Sequence, residues 1–307
     1  MENLRNRAVQ LYRNIQNEIC DALEELEPKQ KFLVDNWDRE DLTGASGGGG
    51  ETRILRNGEV FEQAGVNFSE VHGHLPSEMS FKLTGKKEEQ PFYATGVSLV
   101  IHPHSPRVPT SHANFRYLEV GEYSWFGGGA DLTPYSLNLE DSSHFHQELK
   151  KACDNVSPAF YPKFKKECDE YFFIKHRNET RGVGGIFFDY LGKEENDKLD
   201  VYYDFSKSCG HSFVKAFLPI VKNRKDESWT EREKEFQLLR RGRYVEFNLV
   251  YDRGTHFGLH TNGRTESILM SIPPIAKWQY ENDLASTDSE KKLQEILRQP
   301  IDWAGKV

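Results

Sequence analysis

Apolar residues near the N-terminus recur at three- and four-residue steps: Leu4, Ala8, Leu11, Ile15, Ile19, Ala22 and Leu26. That spacing places them on one face of an amphipathic helix over residues 3–27, ended by Pro28. Residues 32–46 are polar and predict an irregular segment. Gly47–Gly50 follow. No Gly-Lys-Ser/Thr comes after these glycines, and a strand pattern follows them, so they read as a flexible or close-approach segment and not as a phosphate cradle. Arg53–Leu55 and Glu59–Glu62 predict a hairpin about Asn57-Gly58. In residues 97–102 and 112–120 the pattern changes to a period of two. Ser98, Val100 and His102 share one face of the first strand; His112, Asn114 and Arg116 share one face of the second. With ~3.3 Å of rise per residue, successive members of such a face stand about 7 Å apart.

Further on, the spacing predicts helices over residues 139–152, from Ser157-Pro158 to about Arg177, over 205–223 and over 289–298. Thr230-x-x-Glu233 is a capping box that opens another helix, with Gly242 as its close. Strands are expected at IFFDYL (186–191), at RYVEFNLVYD (243–252) and at SILMSI (267–272), with turns at Asp252–Thr255 and Asn262-Gly263. Strands and helices do not alternate regularly, and the strand pairs read as hairpins. The fold class is therefore α+β, a single domain over residues 1–307 built on an antiparallel sheet.

Composition narrows the function classes. The 307 residues carry 40 basic and 48 acidic side chains, scattered along the chain, for a net charge of −8. This balance does not favour a nucleic acid as partner. No run reaches the ~20 apolar residues of a membrane span. The N-terminus lacks an apolar signal core, so a cytoplasmic location is expected. Cys20, Cys153, Cys168 and Cys209 are widely separated and read as reduced, buried thiols.

The candidate chemistry concentrates between residues 95 and 135. His112 supplies an imidazole that exchanges protons near neutral pH. Asn114 and Arg116 lie on its strand face, and Asp131 follows a glycine run that reads as a hinge. This set suits a ligand that is anionic at one end and offers N–H groups at another. Trp125 and Phe126 are either core or the walls of a flat apolar cavity. Most of the eleven histidines read as surface or satisfied core residues. Arg53, Arg177, Arg240, Arg241 and Arg243 read as structural or surface charge.

SLVIHP, PTSHANFR, WFGGGADLTPY, KHRNETRGVGGIFFD, RRGRYVEFNLVYDRGT and NGRTESILMSIPP occur in this order. Together they resemble the oxygen-dependent coproporphyrinogen III oxidases, from about Leu11 to Trp303. The resemblance implies a large antiparallel sheet with helices packed on both faces. It implies oxidative decarboxylation of two propionates of coproporphyrinogen III to vinyls, giving protoporphyrinogen IX in haem biosynthesis. Each step would consume O2 and release CO2 and H2O2.

In that family the residue matching His112 has a proton-donor role, and the one matching Asp131 lies near the pyrrole N–H groups, with Asp252 expected to join it in binding the substrate. Arg116, Arg253 and Arg264 match arginines at the site, where planar guanidinium forks suit the propionates. Ser98 and Asn262-Gly263 match other substrate-binding positions, although many relatives have Gly at 262. Asn114 joins the substrate-binding set from its place on the strand face. No flavin or haem is implied, because the reduced macrocycle supplies the electrons. Bacterial relatives have a divalent metal assigned to histidines matching His102, His146 and His176, which leaves a metal open as an alternative. Family members are homodimers, so a homodimer is expected, with the glycine tract and a C-terminal hairpin near its interface. Two other readings remain at this point: a metal-dependent dioxygenase of another aromatic substrate, and a tetrapyrrole carrier without turnover.

Overall fold

In the computed structural model, which describes residues 2–41, 44–260, 263–280 and 284–305, antiparallel hairpins follow one another into a single large sheet. Its strands are β1 (Leu33–Glu40), β2 (Ser46–Arg56), β3 (Phe61–Leu75), β4 (Gln90–Pro103), β5 (Thr110–Val120), β6 (Tyr123–Thr133) and β9 (Gly184–Leu191). They lie in the order β1-β2-β3-β4-β5-β6-β9, and each neighbour runs antiparallel. Two short strands, β7 (Phe173–Ile174) and β8 (Glu179–Thr180), form a separate ribbon. The turn at Asn57-Gly58 joins β2 to β3 as expected, with Asn57 at a positive φ of 56°, a conformation that Asn tolerates.

The two faces of the sheet differ in kind. One carries Ala64, Val66, Phe68, Val97, Leu99, Ile101, Ala113, Phe115, Tyr117, Ala130, Leu132, Ile186 and Phe188, all buried. Helices α1 (Glu2–Glu24), α3 (Leu139–Asp154), α4 (Phe160–Tyr171) and α5 (Leu199–Arg224) pack there. Leu11, Ile15 and Ile19 of α1 belong to the same apolar core, as the helical spacing required. Burying each such side chain is worth about 1.5–3 kcal/mol, so this face holds the fold together.

The opposite face is polar and carries helices of its own: α6 (Glu231–Val250), α7 (Arg253–His260) and α8 (Thr265–Leu269). Tyr244 of α6 meets the ring of His102 edge-on at 5.4 Å. The side-chain amide of Gln63 donates to the carbonyls of Met270 and Ile272, and that of Asn67 donates to the carbonyl of Ser267. Helices therefore cover both faces of an antiparallel sheet, in agreement with the expected architecture. Two short helices complete the set, α2 (Ser77–Thr84) and α9 (Asp288–Ile296); the second matches the predicted last helix.

Several local expectations fail, each for a physical reason. Residues 243–252 are not a strand, because α6 runs from its capping box at Thr230 through Val250. Arg240, Tyr244, Phe247 and Tyr251 form a helical stripe as readily as the alternation Val245, Phe247, Leu249, Tyr251 forms a strand. Burial of Tyr244 and Phe247 against the polar face settles the choice. Gly242 lies inside α6 and does not cap it; a Cβ there would meet the carbonyl oxygen of Lys277 at 2.4 Å. SILMSI is the short helix α8 and a turn, so the expected C-terminal hairpin is absent from the described residues. Arg253 begins α7 and is not part of a free turn. Residues 33–40 form β1, and Gly47–Gly50 lie within β2. The helix opened near Ser157 is shorter than expected and stops at Tyr171. Asn262 lies outside the described residues.

Candidate active site

Strand register assembles the polar face into rungs, because directly paired residues of adjacent strands point to the same side. One rung crosses the whole sheet: Asp35, Thr52, Asn67, Ser98, Asn114, Gly129 and Phe187. The rung on one side of it aligns Val100, His112, Asp131 and Gly185. The rung on the other side aligns Gly96, Arg116 and Gly127. Ser98, His112, Asn114, Arg116 and Asp131 are thus brought together on adjoining strands. Asp131 is not on a hinge: Gly127, Gly128 and Gly129 are buried members of β6, each paired with β5, with the register against β9 shifting at Gly127.

The glycines serve close packing. A Cβ on Gly127 would lie 2.6 Å from Asp189 Oδ1 and 3.0 Å from Arg116 Nε. The missing side chain at Gly127 leaves room for Arg116, which donates to Asp189 at 2.8 Å and to Asn114 Oδ1 at 3.1 Å.

His112 Nδ1 and Asp131 Oδ1 are 2.8 Å apart. The His112 side chain keeps 24% of its exposure and that of Asp131 only 2%. Arg181, which follows β8, donates to both Asp131 oxygens at 2.8 Å and to Asn248 Oδ1 of α6 at 2.7 Å. Its guanidinium lies over the rings of Phe172, Tyr244 and Phe247 at 4.1, 4.2 and 5.0 Å. Burial alone would push the Asp131 carboxyl up; the charge of Arg181 and the bond from His112 outweigh it and hold Asp131 below the usual carboxylate range. A carboxylate only accepts hydrogen bonds, so His112 donates through Nδ1. Its Nε2 has no hydrogen-bond partner among the described residues.

Asp252, just beyond α6, accepts from the Tyr171 hydroxyl at 2.7 Å and from the backbone and side chain of Thr255. Burial would raise this carboxyl too, but those hydrogen bonds keep it low. Arg253 stands over the rings of Tyr171 and Phe187, 4.8 and 5.4 Å from their centroids. Phe187 belongs to the long rung, so Arg253 reaches over the same floor as Asn114. It is exposed and forms no ion pair among the described residues.

Three expectations need correction. Arg264 is not beside His112: it pairs with Asp35 of β1. His112 is on β5, four strand spacings away, or roughly 19 Å at ~4.8 Å each. Gly263, next to Arg264, lies with it. Asp131 does not face open space: only 2% of its side chain is exposed, beneath His112 and Arg181.

The three histidines of the metal alternative are not gathered either. His102 is buried between the Thr110 hydroxyl and the Ser271 carbonyl. His146 is buried between the Tyr161 hydroxyl and the Val183 carbonyl. His176 sits at the surface between Glu246 and Tyr251. Burial pulls His102 and His146 down to about 3. Each ring nitrogen of these residues already has a partner. Among the described residues no group of three His, Cys, Asp or Glu is placed to hold a metal ion, so this set does not fit one.

Sequence reasoning missed Arg181 and Asn248. Arg181 carries no local signal, because its partner Asp131 lies 50 positions earlier. The arginines read as structural are so: Arg53 pairs with Glu51, Arg177 and Arg243 with Glu246, Arg240 with Glu179, and Arg241 with Glu62.

Comparison with known proteins bears on this face as a whole. Residues 7–303 match the family described as coproporphyrinogen III oxidase. A protein of Prochlorococcus marinus (strain MIT 9313) is 47% identical, with 97% of this chain and 90% of that protein covered. One of Drosophila melanogaster is 50% identical, covering 98% of this chain and 79% of that protein. Both are named oxygen-dependent coproporphyrinogen-III oxidase.

Proposed function

The chain belongs to the coproporphyrinogen III oxidase family, and from that premise we propose how its polar sheet face performs the family's reaction. The chain is an oxygen-dependent oxidase of coproporphyrinogen III. Each of two propionates, –CH2CH2COO−, reacts with O2 and one proton to give –CH=CH2, CO2 and H2O2. The C–H bond of the side chain gives its electron pair to O2 and its proton to the resulting peroxide, while the electron pair of the broken C–C bond stays behind as the new C=C bond when CO2 leaves. A reduced tetrapyrrole is electron-rich, so it hands those electrons to O2 without a flavin or haem.

The observation that carries the assignment of roles is the alignment of His112 and Asp131 on one rung, flanked by Arg116 on the same face and by unpaired Arg253 above it. The macrocycle, puckered at its four saturated bridges, lies on the floor formed by Asn114 and the glycines of β6, beside the stacked rings of Tyr171 and Phe187. Arg253 takes one propionate in its planar fork. Arg116 takes another by giving up part of its bond to Asp189. Asn114 and Ser98 present neutral polar groups between them. His112 meets the macrocycle through Nε2 and moves the proton of the decarboxylation step. Asp252 is partly exposed where Asp131 is buried, and its Oδ1, which accepts one hydrogen bond from Tyr171, has a second lone pair for the pyrrole N–H groups. Asp131 acts behind His112, as its hydrogen-bond acceptor, and not on the pyrroles directly.

Residues 1–307 act as one domain, two copies of which form a homodimer in the cytoplasm. The assignment is tested with chelator-treated protein, coproporphyrinogen III and air, by the fluorescence of protoporphyrin after oxidation of the product. Protoporphyrin is expected, and it should be lost in His112→Ala and restored in neither metal nor flavin supplements. Turnover that appears only when iron is added would favour the metal-dependent reading instead.

A further inference from the structure

Arg181 is a buried charge next to the site that the roles above do not use. Its side chain keeps 3% of its exposure, beside Asp131 at 2%. Two aromatic residues of α6, Tyr244 and Phe247, and Phe172 at the end of α4 enclose it, and Asn248 takes its other nitrogen. It touches no open part of the polar face. A buried cation is costly unless paired and hydrogen-bonded, so a guanidinium here is explained by what it does to Asp131.

Resting on the oxidase reading above, we propose that Arg181 is a positioning residue: it keeps Asp131 a hydrogen-bond acceptor, so that His112 donates through Nδ1 and presents Nε2 to the substrate. Besides Asp131 itself, five titratable or charged groups meet here, one of them its partner His112. His112 comes from β5, Arg181 from the segment after β8, Cys168 from α4, Tyr244 from α6 and Asp252 from beyond α6. Arg181 is the one permanent cation among them. Burial raises the Cys168 thiol and the Tyr244 phenol, so both stay neutral. Without Arg181, nothing permanent offsets a buried carboxylate at 131. The His112–Asp131 pair then takes up a proton more readily, whichever of the two holds it, because a neighbouring positive charge has been removed. A protonated Asp131 can donate to Nδ1 and reverse the tautomer of His112.

The test is the titration of His112, followed by nitrogen NMR of histidine-labelled, substrate-free protein, in the wild type, Arg181→Met and Arg181→Lys. Methionine keeps an apolar stem among the three rings. The midpoint of the pair is expected to rise by about one unit or more in Arg181→Met and to move little in Arg181→Lys. The limb of the kcat profile set by this pair should move the same way, with KM changing less than kcat. An unmoved midpoint in Arg181→Met overturns the proposal, whatever the rate, because a purely structural arginine would not alter the titration. If Arg181→Met fails to fold, Asp131→Asn/Arg181→Met buries no net charge. Its kcat is expected within about threefold of Asp131→Asn, since the two residues act as a unit; a further loss of about tenfold or more would count against the proposal. The titration uses no substrate. Failure of the wild type to oxidise coproporphyrinogen III would therefore sink the oxidase reading and leave this inference standing on its own data.

Discussion

Replacing Asp131 with Ala should cost stability as well as activity, and the size of that cost follows from its neighbours. Both Asp131 oxygens accept from Arg181, and neither residue has more than 3% of its side chain exposed. Deleting the carboxylate leaves the guanidinium buried with only Asn248 as a hydrogen-bond partner. Breaking a buried pair by removing one member costs about 3–5 kcal/mol, because the other charge is left uncompensated. At about 2 °C per kcal/mol for a chain somewhat above 250 residues, the melting temperature should fall by roughly 6–10 °C. Asp131→Ala/Arg181→Met removes both charges and should recover most of that loss, ending within about 2 kcal/mol of the wild type. Equilibrium unfolding in urea at fixed protein concentration measures the wild type, Asp131→Ala, Arg181→Met and the double variant. The reasoning is refuted if Asp131→Ala costs under about 1 kcal/mol, or if the double variant is destabilised by the sum of the single effects. The same experiment guards against a misreading: lost turnover in Asp131→Ala is chemical only in the fraction of protein that remains folded.

Other consequences can be checked separately. Gly127→Ala places a Cβ 2.6 Å from Asp189 Oδ1 and 3.0 Å from Arg116 Nε; it should displace Arg116 and raise KM several-fold, while the far-ultraviolet dichroism stays native. Arg253→Ala should raise KM for coproporphyrinogen III by about 10–100-fold, the worth of a hydrogen bond to a charged group at ~1.5–3 kcal/mol, and steady-state kinetics would show kcat falling less. His102 and His146 are pulled by burial from an ordinary 6.5 down to about 3. The unfolded chain binds protons there that the folded chain does not, so stability is full above pH 6.5 and declines as pH falls toward 3. Urea midpoints between pH 7 and 4 should show that decline, and His102→Gln should make it shallower.

How much could be read from the sequence differs between the two halves of the fold. The strands at 97–102 and 112–120 were legible because a sheet with one apolar and one polar face imposes strict alternation. That alternation already put His112, Asn114 and Arg116 on one surface. The partner rung was not legible. Asp131 looked like a hinge residue because a glycine run precedes it, whereas Gly127 gives Arg116 and Asp189 room over β6 and Gly128 and Gly129 pack closely on the neighbouring strands. Residues 243–252 satisfied two periods at once, and only the aromatic surface of Phe172 and Tyr171 across from Phe247 decides for a helix. Arg181 could not be found by spacing, since a buried ion pair between distant segments leaves no periodic trace. Arg264, matched to a family position, stands over β1 with Asp35, a neighbour that its place in the sequence did not reveal.

The claim most directly open to measurement is the balance of the reaction itself. Purified protein should be mixed with coproporphyrinogen III carrying labelled propionate carboxyls, and oxygen uptake and labelled CO2 followed together. The account predicts two O2 consumed and two CO2 released for each protoporphyrinogen formed, with H2O2 appearing in the same amount. Uptake of oxygen without loss of CO2, or tight binding of the macrocycle with neither, would contradict it.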